Sequence, residues 1–80
     1  MKLGKDDILE FLETDLGVDI GELDVDTLLF SSQLVDSFAL VTLMMFLERE
    51  AGIRIGPADV NLDNMDSIGR MLAYVSRITA

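Results

Sequence analysis

The segment Leu34-Val35-Asp36-Ser37-Phe38-Ala39-Leu40-Val41-Thr42-Leu43-Met44-Met45-Phe46-Leu47 constrains the fold more than any other part of the chain. From Ser37 to Ala51 there is no Pro, no Gly and no run of like charge, so about four turns of helix are expected. Asp36 is placed to cap the start, because its carboxylate can accept from a backbone N–H that has no partner inside the helix. Gly52 is placed to end it as the residue after the last turn. At about 100° per residue, Leu40, Leu43, Met44, Leu47 and Ala51 fall on one stripe, the core side. Phe38, Val41 and Met45 fall on a second stripe, which also carries Ser37. A helix apolar on two sides must be buried all round or must dock something. A chain of 80 residues has little capacity for the first. The apolar run also falls short of the roughly 20 residues that a membrane span requires. Two readings fit the spacing: a central core helix with some exposed apolar residues, and a partner surface beside Ser37.

Composition narrows the chemistry. The chain has no Cys and no His. Disulfides, thiol nucleophiles, thiolate metal sites, Ser–His pairs and the commonest metal ligand are thereby excluded. No catalytic residue and no metal ligand set is identified, and the chain is expected not to be an enzyme. The formal net charge is −9, from 15 acids and 6 bases. That argues against nucleic acid and against an anionic membrane surface, which both call for clustered Lys or Arg. It fits partners with basic docking patches, or simply a soluble acidic surface. The start, Met1-Lys2-Leu3-Gly4-Lys5-Asp6-Asp7, lacks the apolar run of a signal peptide, and a cytoplasmic location is expected.

Around the central helix the chain reads as all-α: a small bundle of three main helices plus one short helix, with a long ordered loop between the first two, in a single domain over residues 1–80. Asp6-Asp7 is expected to cap the first helix, with Ile8, Leu9, Phe11, Leu12 and Leu16 at helical spacing and Gly17 as the stop. Residues 6–26 hold nine acids and no base, which reads as a solvated face or as a second electrostatic contact. Residues 18–35 form the long connection, whose apolar residues should tuck onto the bundle. Asp24-Val25-Asp26 does not begin an EF-hand, because Leu29 and Val35 stand where the loop requires Gly and Glu. Gly56-Pro57 marks a turn, and Pro57-Ala58-Asp59-Val60 is expected as the short helix. Asn64 or Asp66 is expected to cap the last helix, with Ile68, Met71, Leu72, Val75 and Ile78 as its core stripe. Gly69 near its start costs roughly 1 kcal/mol relative to Ala.

Asp36-Ser37 opening an apolar helix, preceded by Phe30-Ser31-Ser32-Gln33-Leu34-Val35, resembles the acyl carrier protein family. The resemblance extends through Leu47-Glu48-Arg49-Glu50-Ala51-Gly52-Ile53 and Asp63-Asn64-Met65-Asp66-Ser67-Ile68, with Phe38 where the family's Asp-Ser-Leu motif has Leu. It implies that Ser37 receives a 4′-phosphopantetheine arm from coenzyme A through a phosphopantetheinyl transferase. The arm then carries acyl or aminoacyl cargo as a thioester between a loading enzyme and a downstream synthase or transferase. It further implies docking through Asp36, Phe38, Val41, Met45 and Glu48. Carriers of fatty acid synthesis place acids along the docking helix; here Ala39 and Thr42 stand at those positions. The chain is more similar to the discrete carriers of polyketide and nonribosomal peptide pathways, or to the D-alanine carrier of cell-wall modification. A monomer is expected.

Ser67 is the rival serine, since Asp66-Ser67-Ile68 also opens a helix. As a capping residue it is nearly accounted for, and its helix has one apolar stripe where that of Ser37 has two. The alternative to a carrier is a non-enzymatic helical interaction module in which Ser37 is only a helix cap.

Overall fold

The computed structural model describes residues 3–79, apart from the side chain of Ser37. Four α-helices and one 3₁₀ turn follow each other along the chain: α1 (Lys5–Thr14), α2 (Ser37–Ala51), the turn (Pro57–Asp59), α3 (Leu62–Met65) and α4 (Ile68–Thr79). There is no strand among the described residues. This is the all-α arrangement of three main helices and one short one that the sequence predicts.

The core forms where the apolar stripes meet. Ile8, Phe11 and Leu12 of α1, Leu43, Met44, Phe46 and Leu47 of α2, and Ile68, Met71, Tyr74 and Val75 of α4 are all buried. Leu29 and Val35 from the long loop join them, as does Met65 of α3. Each fully buried Leu contributes about 1.5–3 kcal/mol relative to an exposed one. The Phe11 and Phe46 rings stack with centroids 4.3 Å apart, which fixes α1 against α2.

Several local details differ from the sequence reading. In α1 the cap is Gly4, not the Asp6-Asp7 pair. Asp7 instead reaches back from the first turn and accepts from the Gly4 N–H at 2.8 Å. The helix ends at Thr14, and Gly17, at φ 68°, lets the chain turn so that Val18 N–H donates to the Leu12 carbonyl at 2.9 Å. Pro57 opens only a 3₁₀ turn, and the short α-helix lies further on, at Leu62–Met65. Asn61 decides that position: its side-chain oxygen accepts from the Asn64 N–H at 3.0 Å. In α4 Tyr74 is buried and Ile78 is exposed. The Tyr74 hydroxyl donates to Asp59 Oδ2 at 2.8 Å, so the ring buries without an orphan polar group, whereas Ile78 sits in the last turn beyond the core.

The long loop is ordered as expected. Ile20, Leu23, Val25 and Phe30 pack onto the core while the acids beside them face water. Asp24 Oδ1 accepts from the Asp26 N–H and from the Thr27 hydroxyl, closing a local turn.

Candidate functional site

The site is built on the start of α2. Asp36 is the cap, and its Oδ1 accepts from the Ala39 N–H at 2.9 Å. Gly52 ends the helix at φ 67°, in the left-handed conformation that glycine adopts without strain. Ser37 is the first residue of the helix. Its side chain, expected to be exposed, lies outside the described residues.

The two stripes of α2 part as the arithmetic requires. Leu43, Met44 and Leu47 are buried, with Leu40 and Ala51 half-buried. Phe38, Val41 and Met45 are 86%, 63% and 64% exposed. The helix is therefore not buried all round, and its second apolar stripe stands open beside Ser37. Phe46, assigned to neither stripe by the sequence, is buried against Phe11. Glu48 is half-buried at the far end, where its Oε2 accepts from the Ile55 N–H at 2.7 Å. Part of its charge thus serves the chain after α2. A groove of about 360 Å³ runs along the helix start, with Leu16 and Val18 on one side and Phe38, Ala39 and Thr42 on the other.

Asp66 does not cap α4. It is 2% exposed and faces the long loop. Its Oδ1 accepts from the N–H groups of Phe30 at 2.8 Å and Ser31 at 3.0 Å, and its Oδ2 from the Ser31 hydroxyl at 2.5 Å. Burial pushes the Asp66 carboxyl up, but these hydrogen bonds, with the Arg70 charge, outweigh it and hold the group below its ordinary value. The cap of α4 is Ser67, whose Oγ accepts from the Arg70 N–H at 3.1 Å. Ser67 is 2% exposed, so its hydroxyl is neither open to an enzyme nor free of a structural task.

The start of α2 suits an anionic group. Asp36 satisfies one amide of the first turn. The other first-turn amides have no acceptor within the helix, and the positive end of the helix dipole favours a phosphodiester there. The groove beside it offers apolar and polar surface for a longer chain.

Comparison with known proteins decides the family. Residues 6–75 match the model of the phosphopantetheine attachment site. The chain belongs to the acyl carrier protein family. It is 36% identical over 58 residues to the probable acyl carrier protein PigG of a Serratia species, covering 72% of this chain and 67% of that one. It is 30% identical over 74 residues to the D-alanyl carrier protein of Leuconostoc citreum, covering 92% of this chain and 94% of that one. Carriers of this family are not enzymes, and they work with a phosphopantetheinyl transferase and with loading and synthase enzymes. Their prosthetic group is 4′-phosphopantetheine, whose terminal thiol supplies the thioester link that this cysteine-free chain cannot form itself. Among the described residues no helix is long and apolar enough to cross a membrane.

The sequence reading missed the partnership of Asp66 with Phe30 and Ser31, which spans 35 and 36 residues of chain. The one hint was Gly69 inside a helix. Its N–H donates to the Val25 carbonyl at 2.7 Å, and a Cβ there would lie 3.0 Å from that oxygen. A glycine with no turn to make marks such a close approach of two backbones.

Proposed function

We propose that Ser37 is the attachment residue for 4′-phosphopantetheine and that residues 1–80 form a single carrier domain. The domain holds acyl or aminoacyl intermediates as thioesters and delivers them to partner enzymes, in secondary metabolism of the polyketide or nonribosomal peptide type. The observation that carries this reading is the contrast at the two candidate serines. Ser37 opens a capped helix beside an exposed apolar stripe, whereas Ser67 is buried and hydrogen-bonded as a cap. The two relatives, one a probable acyl carrier and one a D-alanyl carrier, support a cargo of one of these two classes.

Partners dock through Asp36, Phe38, Val41 and Met45, with Glu48 at the far edge of the surface. The carrier works as a monomer in the cytoplasm. Because Ala39 and Thr42 leave no acid in the middle of this surface, docking relies on apolar contact more than on charge. Complementary charge mainly sets association rate and specificity. A broad-specificity transferase of secondary metabolism should therefore modify this chain much faster than one of fatty acid synthesis.

The test is to incubate the protein with coenzyme A and each transferase in turn and to take intact masses over time. The reading requires addition of one phosphopantetheine, fastest with the broad-specificity enzyme. Equal initial rates would remove the argument from Ala39 and Thr42. No addition with either enzyme would leave the helical interaction module as the better reading.

A further inference from the structure

The segment that leads into Ser37 is held from the start of α4. Residues 29–35 form a closed loop, in which Val35 N–H donates to the Leu29 carbonyl at 3.0 Å and Gln33 N–H to the Phe30 carbonyl at 3.1 Å. Leu29 and Val35, the two ends, are buried. Asp66 grips its first half through three hydrogen bonds from Phe30 and Ser31. The Asp66 backbone carbonyl accepts from the Leu29 N–H at 2.7 Å, and the Gly69 N–H donates to the Val25 carbonyl at 2.7 Å. Inside this loop Gln33, at φ 65°, is the one non-glycine residue with positive φ among the described residues. A side-chain-bearing residue stays in that conformation only where its surroundings over-determine it. The strained turn lies four residues before Ser37, and Asp66 is the buried group that ties it down.

We propose that Asp66 is a positioning residue for phosphopantetheine transfer: through Phe30 and Ser31 it fixes the loop that sets how the start of α2 is presented to the transferase. This rests on Ser37 being the attachment residue. Asp66 acts through the loop, not on the reacting atoms. The helix that follows it, α4, does not depend on it for a cap, because Ser67 fills that role. Without the carboxylate, two backbone N–H groups and a hydroxyl lose their acceptor, and residues 29–35 gain other conformations. A transferase that binds only the ordered form then meets a smaller competent fraction. Its apparent affinity falls by that fraction, while turnover of the bound complex is unchanged.

The experiment measures initial rates of modification with coenzyme A and a broad-specificity transferase on the full chain, at a temperature where every variant is folded. Wild type is compared with Asp66→Ala, Asp66→Asn and Ser31→Ala. Val75→Ala serves as a core control that loses stability without removing any hydrogen bond of the loop. For Asp66→Ala the KM for the carrier should rise about tenfold with kcat within about twofold, the pattern of a reduced competent fraction. Asp66→Asn keeps an oxygen for the two amides, and Ser31→Ala removes one bond of the three, so both should show a smaller rise. If Asp66→Ala fails to fold, these two carry the test. Val75→Ala should keep the wild-type KM. Amide exchange at Phe30 and Ser31 should quicken in Asp66→Ala, while exchange at Ala39, capped by Asp36, stays as in wild type. Unchanged KM in the Asp66 and Ser31 variants, an equal rise in Val75→Ala, or unchanged exchange at Phe30 and Ser31 would each overturn the proposal. A wild-type protein that gains no phosphopantetheine at Ser37 fails on the attachment reading itself. Modification at Ser37 with no effect of Asp66 removes only the positioning role.

Discussion

The chain opens two helices on nearly the same words, Asp36-Ser37-Phe38-Ala39 at α2 and Asp66-Ser67-Ile68-Gly69 at α4, and uses them in opposite ways. At α2 the Asp is the cap and the Ser is the first helical residue. At α4 the register moves by one residue: the Ser is the cap, and the Asp is left over. The leftover Asp66 is buried and grips the loop ahead of α2, while Asp36 stays exposed and accepts a hydrogen bond from its own helix. Local sequence is equally good for a cap in both places. What separates them is what packs on top. At α4 the long loop covers the helix start, whereas at α2 the helix start is left beside an open apolar stripe.

The sharpest way to break this comparison is to remove each Asp in turn. Asp66→Ala removes three hydrogen bonds to a buried carboxylate and should cost about 3 kcal/mol, since hydrogen bonds to charged groups contribute about 1.5–3 kcal/mol each and the exposed Ser31 can turn to water. Asp36→Ala removes one exposed cap and should cost about 1 kcal/mol. Chemical denaturation of the two variants beside wild type ranks them, and an equal loss would mean that Asp66 is no more than a second cap.

Acid gives the same contrast without mutation of the loop. The carboxyl of Asp66 is held below its ordinary value of 3.8 in the folded chain. As pH falls, the unfolded chain takes up this proton first. The stabilisation from Asp66 is therefore complete above about 3.8 and is lost as pH falls through the folded value. The stability gap between wild type and Asp66→Asn should narrow over that interval. A gap that stays constant as pH is lowered would show that the charge on Asp66 contributes nothing.

The smallest effect tests the fourth residue of each word. Helix propensity alone says that Gly69→Ala should gain about 1 kcal/mol and Ala39→Gly should lose about as much. At Ala39 that expectation should hold. At Gly69 the new Cβ would stand 3.0 Å from a carbonyl that the Gly69 N–H already holds, so the loop cannot yield without losing that bond. Gly69→Ala should therefore lower the melting temperature. A rise would show that the contact between α4 and the loop is loose.

This comparison also marks what was legible in the sequence. The period of α2, its Asp36 cap and its Gly52 stop are local, and each stands where the residues put it. So does the split of Leu43, Met44 and Leu47 from Phe38, Val41 and Met45, because helical spacing alone fixes which side chains share a face. The sequence puts the α1 cap at Asp6-Asp7 instead of Gly4, places the short helix at Pro57 instead of after Asn61, and offers Asn64 and Asp66 as α4 caps beside Ser67, because an Asp or Asn serves as well on paper within a few residues of each true cap. Only the tertiary contact of Asp66 with the loop resolves the last of these. Tyr74 was missed for a similar reason: its burial depends on Asp59 being at hand for its hydroxyl, 15 residues away.

The central claim is that, of two serines in similar local sequence, Ser37 alone carries the prosthetic group. Wild type, Ser37→Ala and Ser67→Ala are each incubated with coenzyme A and a broad-specificity phosphopantetheinyl transferase, then digested and mapped by mass. The account predicts phosphopantetheine on the Ser37 peptide of wild type and of Ser67→Ala, and on no peptide of a folded Ser37→Ala protein. Phosphopantetheine on the Ser67 peptide, or anywhere on Ser37→Ala, would contradict it.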